Sequence, residues 1–343
     1  MENRKNSYYL VRYKPNILLK FSYKESIGIY YELIKDGKRL EGKIIHKSAF
    51  RHFNIVYSKD SSINLICQDI CGDIILYKFR KGKWSFKALL YMKYNKISPI
   101  NFYSYENNQE LRFLYSDIDY SKGEIISVNF NKYLEYESTN VILREKNINS
   151  LDYRIFSNGE NNFILISTKD FSRENLIVRR LDIEDEMKDF KEEIIVENCK
   201  YEDMSFLPIE QKCHFLFLKE YDKLRTINYK VFYYKDEKYY SNEFELFKGI
   251  DIKSCILIEE RGLIFAFWIC NNNLYGAFLI DEEKGFSRPI IYRNIKGKNI
   301  KKIYLYNGDK TMETYVLEDA LELRLIIEEV FEERFFNITT NYI

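Results

Sequence analysis

The chain has 343 residues, of which 46% are hydrophobic and 17% aromatic, and its 53 Lys and Arg nearly cancel 52 Asp and Glu. That length suits one large all-β domain or two ordinary ones, and a net charge of +1 offers no global field for nucleic acid or an anionic membrane. Thirty Tyr and 25 Phe stand against only five Ala (Ala49, Ala88, Ala266, Ala277 and Ala320), a balance that favours half-buried strands over helices.

The first residues, MENRKNSYYLVRYKP, carry charges where a secretory signal needs an apolar segment. The longest apolar run, Leu263–Cys270, falls far short of the roughly 20 residues needed to cross a bilayer as a helix. Cys67, Cys71, Cys199, Cys213, Cys255 and Cys270 show no disulfide-framework spacing. The expectation is a cytoplasmic, reducing location and no membrane span.

Along the chain an apolar or aromatic stretch opens seven times: at Tyr8 (YYLVRY), His52 (HFNIVY), Ile100 (INFYSY), Leu151 (LDYRIF), Asp203 (DMSFLPI), Ser254 (SCILIE) and Lys301 (KKIYLY). The spacings are 44, 48, 51, 52, 51 and 47 residues, and five stretches end on an aromatic: Tyr13, Tyr57, Tyr105, Phe156 and Tyr306. Three further strand-like runs follow each opening. In the second copy they are INLICQD (Ile63–Asp69), DIILYKF (Asp73–Phe79) and WSFKALLY (Trp84–Tyr91). Turn residues separate the runs, as at Asp36-Gly37, Lys81-Gly82 and Asn271-Asn272-Asn273.

Four antiparallel strands per roughly 50 residues form the blade of a β-propeller. A blade has two apolar faces, and packing blade on blade covers both. The runs are accordingly more continuously apolar than a one-sided sheet requires. The expected fold is an all-β, seven-bladed propeller forming one domain over 1–343, with six or eight blades as alternatives. The final segment, Leu321–Phe336, alternates as a strand through Leu321, Leu323, Leu325 and Ile327, which is the reading adopted. Leu323, Ile326, Val330 and Phe331 form the competing helical stripe.

The stretch INLICQDICGDIILYKFRKGKWS (Ile63–Ser85) is the sharpest copy. It resembles the repeat of uncharacterised β-propeller proteins of low-GC spore-forming bacteria. Its GKW element resembles repeats of propeller lectins and sialidase-like propellers. The resemblance spans nearly the whole chain, as apolar pattern more than motif. It implies the architecture, suggests binding and a possible spore-associated or envelope role, and transfers no catalytic residue.

Several constellations invite chemistry. Cys67 and Cys71, four apart on an extended strand, would sit about 13 Å from each other, too far to share a ligand. No second cysteine pair lies at zinc spacing, and His46, His52 and His214 are isolated. In DIDYSKGE, Asp117, Asp119 and Ser121 place oxygens at alternating positions as Ca2+ loops do, but the glycine, Gly123, comes one position late. An acidic hairpin turn is the simpler reading, with Ca2+ as the alternative and no other cofactor expected. No Ser-x-Asp-x-Gly-x-x-Trp box, Gly-x-Ser-x-Gly elbow or phosphate-cradling glycine loop occurs, which leans away from an enzyme.

In a propeller the connections between blades and the turn after each second strand emerge on one face. The first set offers Arg51, His52, Asn101, Asp152, Asp203, Lys301 and Lys302; the second offers Glu25, Asp69, Asp117, Asp119, Asp170, Asp222, Glu318 and Asp319. Asp suits turns for its own reasons. The functional alternative is a rim for a cationic or polyhydroxylated ligand, with Arg51, His52, Asp69, Asp117, Asp119, Asp152, Asp170, Asp203 and Asp222 as candidate binding residues. The sequence reading is a non-catalytic binding module for an unknown protein or carbohydrate partner. A carbohydrate-active propeller and a structural spore or envelope component are the alternatives.

Overall fold

Two-residue turns cut the chain into hairpins. Asp36-Gly37, Lys81-Gly82 and Arg261-Gly262 each place successive residues at positive φ (51° and 78°, 49° and 77°, 52° and 77°). This is the backbone of a type I′ turn, whose twist matches that of the strands it joins. The structure is a computed structural model and describes residues 8–58, 60–91, 99–107, 110–119, 122–146, 150–158, 161–169, 174–180, 194–197, 204–209, 212–221, 224–235, 238–307, 310–326 and 330–331.

The strands follow one another in antiparallel runs. The first run is β1 (Tyr9–Lys14), β2 (Ile17–Lys24), β3 (Gly28–Lys35) and β4 (Lys38–His46); the second is β5 (Ala49–Tyr57), β6 (Ile63–Asp69), β7 (Ile74–Arg80) and β8 (Lys83–Leu90). Next come β9 (Phe102–Asn107), β10 (Glu110–Asp119), β11 (Lys122–Phe130) and β12 (Tyr136–Lys146), then β13 (Ser150–Asn158), β14 (Asn161–Lys169), β15 (Glu174–Arg180) and β16 (Ile194–Glu197). The fifth run is β17 (Met204–Ile209), β18 (Lys212–Tyr221), β19 (Leu224–Lys235) and β20 (Lys238–Gly249). The sixth is β21 (Ile252–Glu260), β22 (Leu263–Cys270), β23 (Asn273–Asp281), β24 (Gly285–Phe286) and β25 (Ile290–Asn294). The last is β26 (Ile300–Asn307), β27 (Lys310–Glu318) and β28 (Leu323–Leu325).

The run expected as one strand at FSRPIIY is broken into β24 and β25, both paired with β23. Pro289 lies in the break, where its missing N–H costs the ladder nothing.

The chain divides into two compact units. One comprises Met1–Leu33, Glu41–Asn198 and Tyr306–Thr311, the other Ile34–Leu40, Cys199–Leu305 and Met312–Ile343. Within each, neighbouring sheets are joined face to face. In the first unit Phe21, Phe53, Leu65 and Cys67 belong to the core between β1–β4 and β5–β8. Ile66, Leu76, Phe102 and Phe113 fill the next core, and Tyr103, Leu114, Tyr153 and Ile166 the one after it. In the second unit Leu216, Tyr229, Leu257 and Trp268 form one core, while Phe265, Phe267 and Tyr315 form another.

Strand β6 shows the logic of its composition. Leu65 and Cys67 face one neighbouring sheet and Ile66 the other, so a strand with period-two side chains is apolar at nearly every position. Trp84 packs within the first of these cores, its ring 5.0 Å from Phe79, 5.8 Å from Tyr31 and 6.2 Å from Phe21. Close approach is acute at Gly276, where a Cβ would meet rings of Phe267 and Tyr292 at 2.7 Å.

The C-terminal segment departs from the strand reading. Among the described residues of this segment only Leu323–Leu325 is strand; Ile326, Val330 and Phe331 have helical backbone, and Ile327 lies outside the described residues. Ile326 and Val330 are buried in the core with Tyr315, and the Phe331 ring lies 5.0 Å from Phe265. Helical spacing puts these apolar side chains on one face, where they cover apolar surface that an alternating strand would leave half exposed.

Phe53→Ala and Ile66→Ala should each lower the unfolding free energy by ~2–5 kcal/mol in urea titrations, because both side chains are buried between sheets. A loss below ~0.5 kcal/mol at both positions would contradict this packing.

Candidate functional site

The residues singled out from the sequence fall into distinct settings. Arg51 and His52 lie on β5, Arg51 exposed and His52 half-buried. His52 Nε2 donates to the Phe102 carbonyl at 2.6 Å, and its ring meets Phe102 and Tyr103 edge-on at 4.8 and 5.6 Å. Asp69 ends β6 in register with Ala49, so Arg51, His52 and Asp69 share one end of the β5–β6 hairpin.

The Asp69 carboxylate has a local task. Its Oδ1 accepts the N–H groups of Cys71 and Asp73, at 2.8 and 2.9 Å, and so closes the Asp-Ile-Cys-Gly-Asp turn. Asp319 repeats the device after β27, accepting from Leu321 and Glu322 at 2.7 and 2.8 Å. Those bonds are the first cause holding its carboxyl below the ordinary aspartate range. Asn131 closes another turn with bonds from Tyr133 and Glu135.

Asp117 is exposed on β10 and faces Glu124 across the ladder, where Glu124 accepts from Arg144 Nε at 2.9 Å. Asp119 pairs with Lys122 and Asp152 with Ser167 at backbone level. The side chains of Asp119 and Asp152, together with Ser121, Asp170, Asp203 and Asp222, lie outside the described residues. Among the described residues no three His, Cys, Asp or Glu side chains converge as metal ligands. Cys67 is buried, its thiol pushed up to about 12 by burial and then by the Asp69 charge, whereas Cys71 is exposed in the turn.

A group that the sequence did not single out gathers on the leading strands of the first unit. Tyr9 on β1, Asn54 on β5, Tyr103 on β9 and Arg154 on β13 surround the half-buried Tyr306 of β26. The Tyr9 and Tyr306 rings are 5.9 Å apart. Asn54 bonds the Tyr306 hydroxyl, and its Oδ1 accepts the Ser104 N–H at 3.0 Å. Burial raises the Tyr306 phenol well above the ordinary tyrosine range, and the neighbouring Tyr9 and Tyr103 add to the rise. The Arg154 charge and the Asn54 bond pull the other way without prevailing. Tyr306 therefore stays protonated and can give a hydrogen bond. The sequence carried one signal: Tyr306 is among the aromatics that close the leading stretches.

In the second unit the leading strands are fastened by buried polar groups. Lys302 Nζ donates to the carbonyls of Met204 and Cys255, at 2.6 and 3.0 Å, and pairs with the Glu313 carboxylate at 3.0 Å. Ser205 Oγ accepts the Leu257 N–H at 2.9 Å. These contacts tie β17, β21 and β26 together and satisfy groups that would be costly to bury alone. His214 is buried with Nδ1 2.6 Å from the Tyr229 hydroxyl. Burial, then the Lys212 charge, lowers its pKa to about 3, so the imidazole is neutral and shares a hydrogen bond with the phenol. A dyad locked in this state packs the core and is not poised as a base near neutral pH.

No protein-family model and no curated protein matches the chain. Solved structures do. A polysaccharide lyase, Uly1, is similar over 91% of this chain and 87% of its own, with a TM-score of 0.56 and 10% identity. The periplasmic gluconolactonase of Pseudomonas aeruginosa is similar over 90% of this chain and 98% of its own, with a TM-score of 0.50 and 12% identity. The six-bladed fucose-recognising lectin of Aleuria aurantia is more distant, at a TM-score of 0.42 and 9% identity over 80% of this chain and 89% of its own. At such identities likeness speaks for fold alone. The chain has an all-β fold of the β-propeller class. Among the described residues no helix is long and apolar enough to cross a membrane.

Asp69→Ala should cost ~1–2 kcal/mol through loss of two backbone-to-carboxylate bonds. Asp69→Asn, which keeps the acceptor, should recover most of that loss in the same melts. The His214 shift has a definite sign. The unfolded imidazole takes its proton near 6.5 and the folded one only near about 3, so its contribution is full above 6.5 and is lost as pH falls toward 3. Urea midpoints should therefore drop between about pH 7.5 and about pH 4.5, and His214→Gln should flatten that drop. An unchanged slope would place the titration elsewhere.

Proposed function

We propose that the protein is a seven-bladed β-propeller, with blades opening near residues 8, 52, 100, 151, 203, 254 and 301, that binds a saccharide without transforming it. The order of strands along the chain, which falls into seven successive runs, supports the blade count. The observation that carries the binding reading is the setting of Tyr306. A tyrosine nucleophile or base needs its phenol made easier to ionise, whereas burial and two neighbouring phenols make this one harder. A protonated phenol beside aromatic rings and an amide suits the hydroxyls and apolar ring faces of a sugar. The names of the two nearer structural relatives also refer to a polysaccharide and to gluconolactone, in keeping with a saccharide ligand.

Arg51, His52, Asp69, Asp117, Asp119, Asp152, Asp170, Asp203 and Asp222 belong to this proposal as a rim. His52 meets Tyr103 of the site edge-on. The composition and cysteine usage favour work in a cytoplasmic, reducing compartment.

A glycan array followed by calorimetry on the best ligand tests the proposal. Tyr306→Phe should weaken that ligand roughly 3–10-fold, the worth of one hydrogen bond, and cost ~1–3 kcal/mol of stability because the buried Asn54 loses a partner. A chromogenic glycoside panel should stay blank. A blank array would overturn the saccharide reading, and turnover on the panel would overturn its non-catalytic part.

A further inference from the structure

The β5–β6 hairpin carries buried polar side chains at the end opposite Arg51, His52 and Asp69. Val56 lies opposite Asn64 in its register, and the Ser58 N–H donates to the Ser62 carbonyl at 2.9 Å, so the pairing continues past the end of β5. Ser58, Ser62 and Asn64 therefore share a sheet face with Val56 and Ile66, the face whose core includes Phe102 of β9. Residues directly opposite in such a pairing, as Ser58 and Ser62 are, hold their Cβ atoms about 5 Å apart. Glu106, on β9, reaches the same place and accepts the Ser58 hydroxyl.

These bonds have a fixed direction. The Glu106 carboxylate only accepts, so Ser58 gives it the hydroxyl proton and takes the Asn64 amide N–H at 2.6 Å. Asn64 Oδ1 is then the amide atom turned away from Ser58. It is buried without a hydrogen-bond partner among the described residues, and so is Ser62 Oγ. Asn64 is 6% exposed and Ser62 0%, so bulk solvent does not reach either. Lys78 and Arg80 of β7 are directed at Asp60 in the β5–β6 turn, at 3.3 and 3.7 Å, and Arg112 pairs with Glu110. Half-buried Glu106 has no cationic partner among the described residues. The unsatisfied set is thus a carboxylate, an amide oxygen and a hydroxyl oxygen, with one negative charge. A water molecule would answer the two neutral oxygens and leave that charge uncompensated; a metal cation answers all three. Hard oxygens select a hard ion, and one carboxylate balances one positive charge. We propose that Glu106, Asn64 and Ser62 bind a monovalent metal cation, Na+ or K+, with Ser58 orienting the first two. The ion joins the β5–β6 hairpin to β9 and so fastens the second run of strands to the third.

Thermal melts of the full chain at fixed ionic strength test the site. Replacing choline chloride by about 200 mM NaCl or KCl should raise the midpoint by roughly 1–3 °C, the effect of an ion present well above its dissociation constant. Titration of each salt against choline chloride shows which of the two ions is preferred. Glu106→Gln keeps an acceptor for Ser58 and removes the charge, and it should abolish the rise. Ser62→Ala should reduce it. If Glu106→Gln does not fold, crystals of the unsubstituted chain grown with thallium(I) acetate decide the matter: an anomalous peak should lie between Glu106 and Asn64.

Equal midpoints in choline, sodium and potassium salts overturn the proposal, as does the absence of that peak. A rise that survives Glu106→Gln puts the ion elsewhere and overturns this site. A rise with CaCl2 alone, at matched ionic strength, overturns the monovalent ion.

Discussion

Burial of both faces of each sheet is the constraint on which the rest depends. A four-stranded sheet alone would leave its apolar faces in water, and side chains alternate so that each strand feeds two cores. Phe53 and Ile66 belong to the same hairpin yet stand in different cores. Such an arrangement makes each core the joint property of two sheets, so no sheet is stable without a neighbour. It also accounts for the aromatic load. Tyr and Phe bury much surface per residue and meet at favoured edge-on geometry, as between Tyr9 and Phe53 at 5.2 Å and Tyr103 and Tyr153 at 5.3 Å.

Packing faces against faces brings leading strands close, and close strands bring backbone polar groups into buried ground. Those groups need partners. Asn54 answers the N–H of Ser104, Ser205 answers that of Leu257, and Lys302 answers two carbonyls at once. The proposed binding site is an outgrowth of this requirement. Asn54 is held by Ser104, and in that proposal the bond that joins β5 to β9 also orients its amide toward Tyr306. The proposal thereby gives support and recognition to one residue, on strands rather than on loops.

The acids that recur after second strands show the opposite outcome. Their recurrence suggests a rim, yet where the bonds are described, at Asp69 and Asp319, the carboxylate closes its own turn. Residue type and position were sound evidence that something is required there. They did not distinguish a need of the backbone from a need of a ligand. The exposed cysteine of the same turn, Cys71, has its prominence in the sequence through spacing alone.

Period-two alternation, abundant aromatics, scarce alanine and punctuating turns were enough to read an all-β chain of repeated four-strand units. Each of these is a local preference that the backbone expresses wherever it lies. The C-terminal stripe was ambiguous because Leu321, Leu323, Leu325 and Ile327 alternate as a strand while Leu323, Ile326, Val330 and Phe331 form a helical stripe, and only the apolar surface around Tyr315 and Phe265 resolves it into a short strand followed by helical backbone. The cluster at Tyr306 lay further out of reach. Tyr9, Asn54, Tyr103, Arg154 and Tyr306 are separated by 45 residues or more at each step, share no local motif, and meet because the leading strands of separate runs converge. A repeat is legible because its signal is copied along the chain. A site made of single residues from several copies has no signal until the copies are packed together.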